Sequence, residues 1–299
     1  MLAIDWGTSS LRIYRIDSEG RVCEARHSTE GILNVPDSDF AKVLDSHAGD
    51  WISAGEAPIV MSGMIGSRQG WKEAAYLDCP AGIAEIGSAM CTVKWKSTNG
   101  QPVCAWIAPG LQCLDQSGVS DVMRGEEVQI LGIIDQLHRG EHHLCLPGTH
   151  SKWAVVRNGQ IASFSTYMTG EMFGVLKQHS ILSRTMVSGA FDEPAFINGV
   201  ARAANPEGLL HHLFGVRAQV LAGEITDQQS ASYLSGILIG HELHSAAINI
   251  DRFHLVGGAE LTSLYSLAAS TMKLETVVHE ADAVTRGLFA LTQYVTDNT

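Results

Sequence analysis

The sequence predicts a two-lobed α/β protein with a duplicated core, and three observations carry that reading. Strands and helices alternate through the opening segment, as in an α/β layer. A strand, a Gly-Thr turn and a second strand occur at the start and again at mid-chain. The length, 299 residues, is roughly twice that of a usual domain.

Taken in order, Leu2-Ala3-Ile4 reads as a strand, Asp5-Trp6-Gly7-Thr8-Ser9-Ser10 as a turn rich in donors, and the alternating run Leu11 to Ile16 as its partner strand. From Asp37, the positions Phe40, Val43, Leu44, His47 and Trp51 follow helical spacing, and Pro58 to Met61 is a buried strand ending in Ser62-Gly63. A less regular middle holds a turn over 97–100 and a strand over 103–107. The spacing of Val128, Leu131, Ile134 and Leu137 then predicts a helix around 122–137. Leu144-Cys145-Leu146 leads into Pro147-Gly148-Thr149-His150-Ser151-Lys152 and a strand from Trp153. An offset of 141 residues lays Gly7-Thr8 on Gly148-Thr149, Ser10 on Ser151 and Asp17-Ser18 on Asn158-Gly159. The remainder reads as mainly helical, with segments from Asn205-Pro206 to near Gly223, Asp227 to about Ile248, Leu261 to Ala269 and Ala281 to Tyr294. It has one further strand, His254-Leu255-Val256, running into Gly257-Gly258-Ala259. The expected division is therefore residues 1–143 and 144–299, with the last helix free to pack back toward the first lobe.

Twenty Lys+Arg against 32 Asp+Glu give a net charge of −12, a field that repels phosphate backbones and anionic lipid, so nucleic acid and membrane are excluded as partners. Any anion site must be assembled locally from backbone N–H groups, a few basic side chains or Mg²⁺. No apolar run is long enough to span a bilayer, and Asp5 interrupts what a signal peptide would continue, so the expected location is the cytoplasm. The six cysteines show no Cys-x-x-Cys spacing and are expected as reduced thiols.

Three glycine turns, at Gly7-Thr8, Gly148-Thr149 and Gly257-Gly258, each follow a strand. Glycine lets backbone approach a ligand and adjacent hydroxyls add donors, so such turns suit phosphate oxygens; taken singly, each is also an ordinary hairpin or strand–helix turn. Asp5 ends the first strand where a carboxylate reaches a phosphate-bound Mg²⁺, or merely forms the turn. Neither a Walker phosphate loop nor a dinucleotide fingerprint is present. His241-Glu242-Leu243-His244 lacks the His-Glu-x-x-His spacing of zinc proteases.

The turn Ile4-Asp5-Trp6-Gly7-Thr8-Ser9-Ser10-Leu11-Arg12, the second Gly-Thr turn and the late Val256-Gly257-Gly258-Ala259 turn resemble the phosphate and adenosine motifs of the actin/hexokinase/sugar-kinase superfamily. More narrowly, MSGMIGSRQGW (61–71), DVMRGEEVQILG (121–132), LPGTHSKW (146–153) and LVGGAEL (255–261) resemble the 2-dehydro-3-deoxygalactonokinase family, nearly end to end. The resemblance implies a two-lobed actin-like ATPase (ribonuclease-H-like) fold with an interlobe nucleotide cleft. It also implies ATP- and Mg²⁺-dependent phosphorylation of 2-dehydro-3-deoxy-D-galactonate to its 6-phosphate in galactonate or galactose breakdown. Thr8, Ser9 and Ser10, after Gly7, would hold the terminal phosphates. Gly148, Thr149 and His150, with Lys152 nearby, would approach from the other side, and Gly257, Gly258 and Ala259 would face adenosine or ribose. Asp5 would orient the metal.

In glycerol-kinase-like relatives a Gly-Asp-Gln-Gln helix start carries the base. Here Gly125-Glu126-Glu127-Val128-Gln129 occupies that place, so Glu126 replaces the usual Asp and Asp121 is the alternative. Glu126 and Glu127 also fit as first-turn acids complementing a helix dipole. The 62–71 loop lies where related kinases hold their sugar, giving Ser62, Gly63, Met64, Arg68 and Trp71 as candidates. Arg68 would serve as a carboxylate fork or a surface ion-pair partner, and Trp6 or Trp71 would cover the sugar. Arg124 would contact the substrate acid or the transferred phosphoryl group. Thr169-Gly170-Glu171 falls in a segment shared by the family without an assigned part. A kinase for a neutral sugar or polyol and an actin-like nucleotide switch are the competing functions; a homodimer is the candidate assembly.

Overall fold

Leu2, Ala3, Ile4 and Trp6 have no exposed surface, which marks β1 (Leu2–Trp6) as a central strand flanked on both sides. It pairs antiparallel with β2 (Leu11–Ile16), which in turn pairs antiparallel with β3 (Val22–Ser28). After α1 (Phe40–Ser53), whose first turn is capped by the Asp39 side chain accepting from Lys42 N, the chain returns as β4 (Ile59–Ser62), parallel to β1. The register sets Asp5 opposite Arg12 on β2 and Ser62 on β4. Beyond β5 (Tyr76–Asp78) and α2 (Ile83–Ser88), the hairpin of β6 (Cys91–Lys96) and β7 (Pro102–Ile107) completes a sheet of order β3-β2-β1-β4-β7-β6. A small second sheet, β5-β8-β9, uses β8 (Gly110–Leu114) and β9 (Ser120–Met123), and leads into α3 (Glu126–Leu131).

The larger repeat follows with β10 (Glu141–Leu146), β11 (Ser151–Arg157), β12 (Gln160–Tyr167) and the helices α4 (Thr169–His179), α5 (Glu193–Ala203), α6 (Leu209–Leu221) and α7 (Ser230–Ala246). Then come β13 (Arg252–Val256), α8 (Ala259–Thr271), β14 (Glu275–His279) and α9 (Ala283–Leu291). The sheet order β12-β11-β10-β13-β14 matches β3-β2-β1-β4-β7 strand for strand, so the expected duplication extends beyond the hairpin to the whole five-stranded unit.

This computed structural model describes residues 1–115, 117–279 and 282–295. Two compact units divide the chain: one of Met1–Glu141, Val155–Phe164 and Ala281–Thr299, the other of His142–Ala154 and Ser165–Glu280. The first has a core of Leu2, Ile4, Trp6, Leu44, Met61 and Ile107 among others; the second buries Trp153, Phe196, Phe253, Leu255 and Tyr265. Within the first unit α9 packs on α3, β1 and β4, so the end of the chain supports the helix that carries Glu126. Among the described residues no helix is long and apolar enough to cross a membrane.

Several elements differ from expectation for local reasons. The helix expected over 122–137 is split: Val122 belongs to β9, Gly125 takes φ 108° and ends the strand, α3 stops before Gly132, and Ile134–Gln136 is a single 3₁₀ turn. The irregular middle hides β5, β8 and β9, which at three to five residues are too short to show alternation. The one further strand expected after the second hairpin is joined by β14. The helices α4 and α5 lie in a stretch left without a helical expectation, and α6 begins at Leu209 after Gly208, not at Asn205-Pro206. The expected start of the last helix, Ala281, lies outside the described residues.

Leu288 on α9 has no exposed surface, and Leu288→Ala is expected to cost about 2–5 kcal/mol in denaturant unfolding. A loss below about 0.5 kcal/mol, the range of a surface change, would contradict the burial of α9.

Candidate functional site

In the first unit the site is built where β1 and β4 end. Asp5 Oδ2 forms an ion pair with Arg12 Nη1 at 3.0 Å, the consequence of their direct pairing across β1 and β2. Burial pushes the Asp5 carboxyl above its ordinary value and Arg12 pulls it back. The turn that follows is closed by Gly7 N donating to Ser10 O at 2.9 Å, and it leaves Thr8 and Ser9 exposed. Gly31 lies directly beneath: a Cβ there would overlap Ser9 N, Thr8 O and Ser10 N, while Ile32 N donates to Gly7 O at 3.0 Å.

Gly63 (φ 91°) continues from β4. A Cβ on it would meet Trp6 O at 2.8 Å and Asp5 Oδ1 at 3.4 Å, and a Cβ on Gly125 would meet Gly63 Cα at 3.2 Å. The loop after β4 and the start of α3 are thereby pressed together beside Asp5. Two carboxylates fold back on the segment before the helix: Arg124 N donates to Glu126 Oε2 at 3.1 Å and Gly125 N to Glu127 Oε2 at 2.7 Å. Glu126 is partly exposed, whereas Glu127 is completely buried. Burial above all, then the charge of Glu126, drives the Glu127 carboxyl up to about 8, against the pull of backbone N–H groups and Arg124.

Polar groups without partners gather here. Ser62 Oγ, Ser67 Oγ, Glu127 Oε1, and Arg124 Nε and Nη1 are all buried and have no hydrogen-bond partner within the protein. Arg124 is 8% exposed; its Nη2 donates to Ala74 O at 2.8 Å, its guanidinium stands 4.3 Å from the Tyr76 ring centre, and a Cβ on Gly66 would lie 2.9 Å from Nη1. Native proteins leave few such groups unsatisfied, so a cluster of them is where water or a ligand completes the bonding.

In the second unit, Gly148 and Thr149 form the turn between β10 and β11. A Cβ on Gly170 would overlap Gly148 O, Glu171 N donates to Thr149 O at 2.9 Å, and His150 Nε2 is hydrogen-bonded to Glu171 Oε2. The start of α4 therefore backs the turn. Gly257 (φ 150°) stands near Pro147 O, and Gly258 precedes α8, whose Thr262 N donates to Gly258 O at 3.1 Å. Beside these turns a cavity of about 320 Å³ is lined by Gly148, Thr169 and Gly170, by Phe173 and Phe191, and by Glu260, Leu264 and Tyr265 from α8. Its largely apolar wall with a few polar groups suits a flat heteroaromatic ring and its sugar.

Of the residues singled out from sequence, Asp5, Gly7, Thr8, Ser9, Ser10, Ser62, Gly63, Arg124 and Glu126 come together in the first unit, and Gly148, Thr149, His150, Gly257, Gly258 and Ala259 in the second. Four are placed otherwise. Trp6 has no exposed surface, donates Nε1 to Glu30 O at 2.8 Å and meets Phe40 edge-on, so it is core and not a cover for a sugar. Arg68 is 87% exposed in its side chain and paired with Glu73 at 3.3 Å. Asp121 sits on β9 and accepts from Val122 N at 2.7 Å. Lys152 turns inward, donating to Thr166 Oγ1 at 2.7 Å. Trp71 stacks on Phe40 with its ring partly exposed, and Met64 is half-buried against the same cluster. Sequence reasoning missed Arg12, Gly31, Ser67 and the backing of the second turn by Gly170; only Arg12 left a signal, since the hairpin register opposes it to Asp5.

Residues 5–291 match the family model described as 2-keto-3-deoxy-galactonokinase. A 2-dehydro-3-deoxygalactonokinase of Escherichia coli (strain K12) is 35% identical over 274 residues, covering 91% of this chain and 89% of the relative. A Sinorhizobium meliloti protein provisionally named 2-dehydro-3-deoxygalactonokinase has a crystal structure that is 37% identical and covers 98% of both chains with a TM-score of 0.89. At the level of fold alone, the activator of the 2-hydroxyisocaproyl-CoA dehydratase from Clostridium difficile, solved with bound ADPNP, is 11% identical. It covers 98% of this chain and 96% of its own, with a TM-score of 0.50.

A carboxyl that titrates near 8 in the fold and near 4.5 unfolded binds more protons in the folded state between those values, so its contribution is complete below 4.5 and falls as pH rises toward 8. Glu127→Gln, which keeps the neutral shape, is expected to gain melting temperature relative to wild type by several degrees, on the order of 4–8 °C, between pH 5 and pH 8.5. Parallel curves for the two proteins would contradict the placement. Gly31→Ala is expected to destabilise by about 1–3 kcal/mol, because the turn backbone cannot yield as a flexible side chain does; unchanged thermal unfolding would show that the turn does not rest on Gly31.

Proposed function

The chain belongs to the 2-keto-3-deoxy-galactonokinase family, and on that premise we propose that it transfers the γ-phosphoryl group of MgATP to the terminal hydroxyl of 2-dehydro-3-deoxy-D-galactonate, giving the 6-phosphate, in galactonate or galactose catabolism. It is a kinase with the fold of the actin-like ATPases and sugar kinases, and it uses ATP. The observation that carries the choice of acceptor is Arg124. A buried guanidinium with two unpartnered N–H groups is costly by several kcal/mol unless an anion meets it. A sugar acid supplies that anion and a neutral sugar does not. Arg68, solvated and paired, has far less to gain.

The remaining roles follow from placement. Glu126, held at the start of α3 by its bond from Arg124 N, takes the proton of the acceptor hydroxyl as the oxygen attacks phosphorus. Ser62 and Ser67 offer unpartnered hydroxyls to the sugar acid, Gly63 and Met64 form its floor, and Trp71 covers its apolar face. Thr8, Ser9 and Ser10 present hydroxyl and backbone donors to the terminal phosphates. From the second unit, Gly148, Thr149 and His150 hold phosphate, while Gly257, Gly258 and Ala259 with the neighbouring cavity take adenosine. Asp5 offers a hard carboxylate oxygen beside the first turn, which fits Mg²⁺. No group of three or more His, Cys, Asp or Glu among the described residues could hold a metal ion by itself, so phosphate and water oxygens would have to complete its shell. When bound, Mg²⁺ neutralises charge on the phosphate oxygens.

The test is ADP release, coupled to a dehydrogenase read-out, with 2-dehydro-3-deoxy-D-galactonate, its gluconate epimer and neutral sugars. Turnover is expected with the keto-deoxy acids only, and equal turnover of a neutral sugar would overturn the acceptor class. Glu126→Gln is expected to lower kcat by about 10²–10⁴ and Asp121→Asn to leave it within about threefold. The reverse pattern would move the base to Asp121.

A further inference from the structure

Glu242 lies in the interior of α7 at 3% exposure, flanked by the buried Leu238, Ile239 and Leu243. A carboxylate in such surroundings is costly unless its oxygens are fully used, and here they are. Oε1 accepts from Trp153 Nε1 at 2.8 Å; Oε2 accepts from Tyr265 OH at 2.6 Å and from Thr169 Oγ1. Tyr265 OH is in turn 2.9 Å from Ser151 Oγ. The partners come from three elements that frame the second-unit site. Ser151 and Trp153 follow the Gly148-Thr149 turn on β11, Thr169 opens α4, and Tyr265 stands on α8 behind the late glycine turn. Thr169 and Tyr265 also line the 320 Å³ cavity, although Glu242 does not.

We propose that Glu242 is a positioning residue for the nucleotide: by gathering Thr169, Tyr265 and Trp153 on one carboxylate, it holds the start of α4 against the Gly148-Thr149 turn and fixes one wall of the cavity. The chain of contacts is continuous, since Gly170 abuts Gly148 O and Glu171 N donates to Thr149 O at 2.9 Å. It gives a part to Thr169-Gly170-Glu171 and to the one acid of α7. The inference rests on the reading of that cavity as the adenosine site. A carboxylate serving only the fold would, on removal, lower thermal stability and leave the Michaelis constants of both substrates alike.

The test compares full-length wild type with Glu242→Gln, Thr169→Val, Thr169→Ser and Ser235→Trp, measuring ADP affinity by calorimetry and KM for ATP and for the sugar acid. A glutamine amide turns N–H groups toward donors. Glu242→Gln is therefore expected to weaken ADP binding and raise KM for ATP by about tenfold or more, with KM for the sugar acid within about twofold. Thr169→Val, which keeps the shape and removes one bond, is expected to weaken ADP binding about fivefold, and Thr169→Ser to restore it. If Glu242→Gln fails to fold, the Thr169 pair alone decides. ADP affinities within about twofold of wild type in the folded variants would overturn the positioning role. Ser235→Trp, which fills the cavity, separates the two failures. If it abolishes ADP binding while Glu242→Gln and Thr169→Val bind normally, the cavity reading stands and the role of Glu242 falls. If it binds ADP normally, the cavity reading falls and this inference with it.

Discussion

Gly63 and Gly125 meet without side chains, each in a positive-φ conformation that other residues adopt only with strain, and the chemistry of the first unit follows from that contact. One ends the parallel strand beside β1, the other begins α3. Because nothing separates them, the end of β1, the loop after β4 and the first turn of α3 share one small volume, and Asp5, Ser62, Arg124 and Glu126 are delivered to it from three separate stretches of sequence. A side chain on either glycine would have to displace backbone, at Trp6 O in one case and at Gly63 itself in the other. Beside that contact Glu127 is fully buried, and its carboxyl accepts from Gly125 N.

The two units use one strand order to different electrostatic ends. In the second, the buried acid Glu242 is satisfied by donors from β11, α4 and α8, the elements around the Gly148-Thr149 turn. In the first, Arg124, Ser62, Ser67 and Glu127 retain polar atoms with no partner. Fully paired polar interiors specify a geometry, whereas unpaired ones store free energy that a ligand can release.

Much of this was legible in the sequence. The strand, Gly-Thr turn and strand recurring after 141 residues marked both central hairpins, and the late Gly257-Gly258 turn fell at a strand end as expected. Helical periodicity located α1 to within a few residues, because it buries one side, and helix start and stop signals did the same for α7 and α8. What stayed hidden depends on contacts distant in sequence. The strands of the β5-β8-β9 sheet are too short for alternation to register. Gly31 is one of 30 glycines, and nothing adjacent to it announces the turn lying above it. Glu242 stood out only as part of a failed zinc motif, and its partners are 23 to 89 residues away. Trp6 reads two ways in sequence, because an aromatic beside a glycine turn serves a ligand or a core equally well, and only the burial of β1 decides.

Under the proposed function the buried Arg124, whose Nε and Nη1 have no partner within the protein, meets the acceptor's carboxylate, and a substrate comparison tests it most directly. It sets kcat/KM for the keto-deoxy acid against that for its neutral carboxamide, in wild type and in Arg124→Met. Wild type should favour the acid by about 10²-fold or more, and Arg124→Met should lose most of that preference while handling the carboxamide within a few-fold of wild type. Equal losses for acid and carboxamide, with the preference intact, would contradict it and reduce Arg124 to a structural prop beneath the loop.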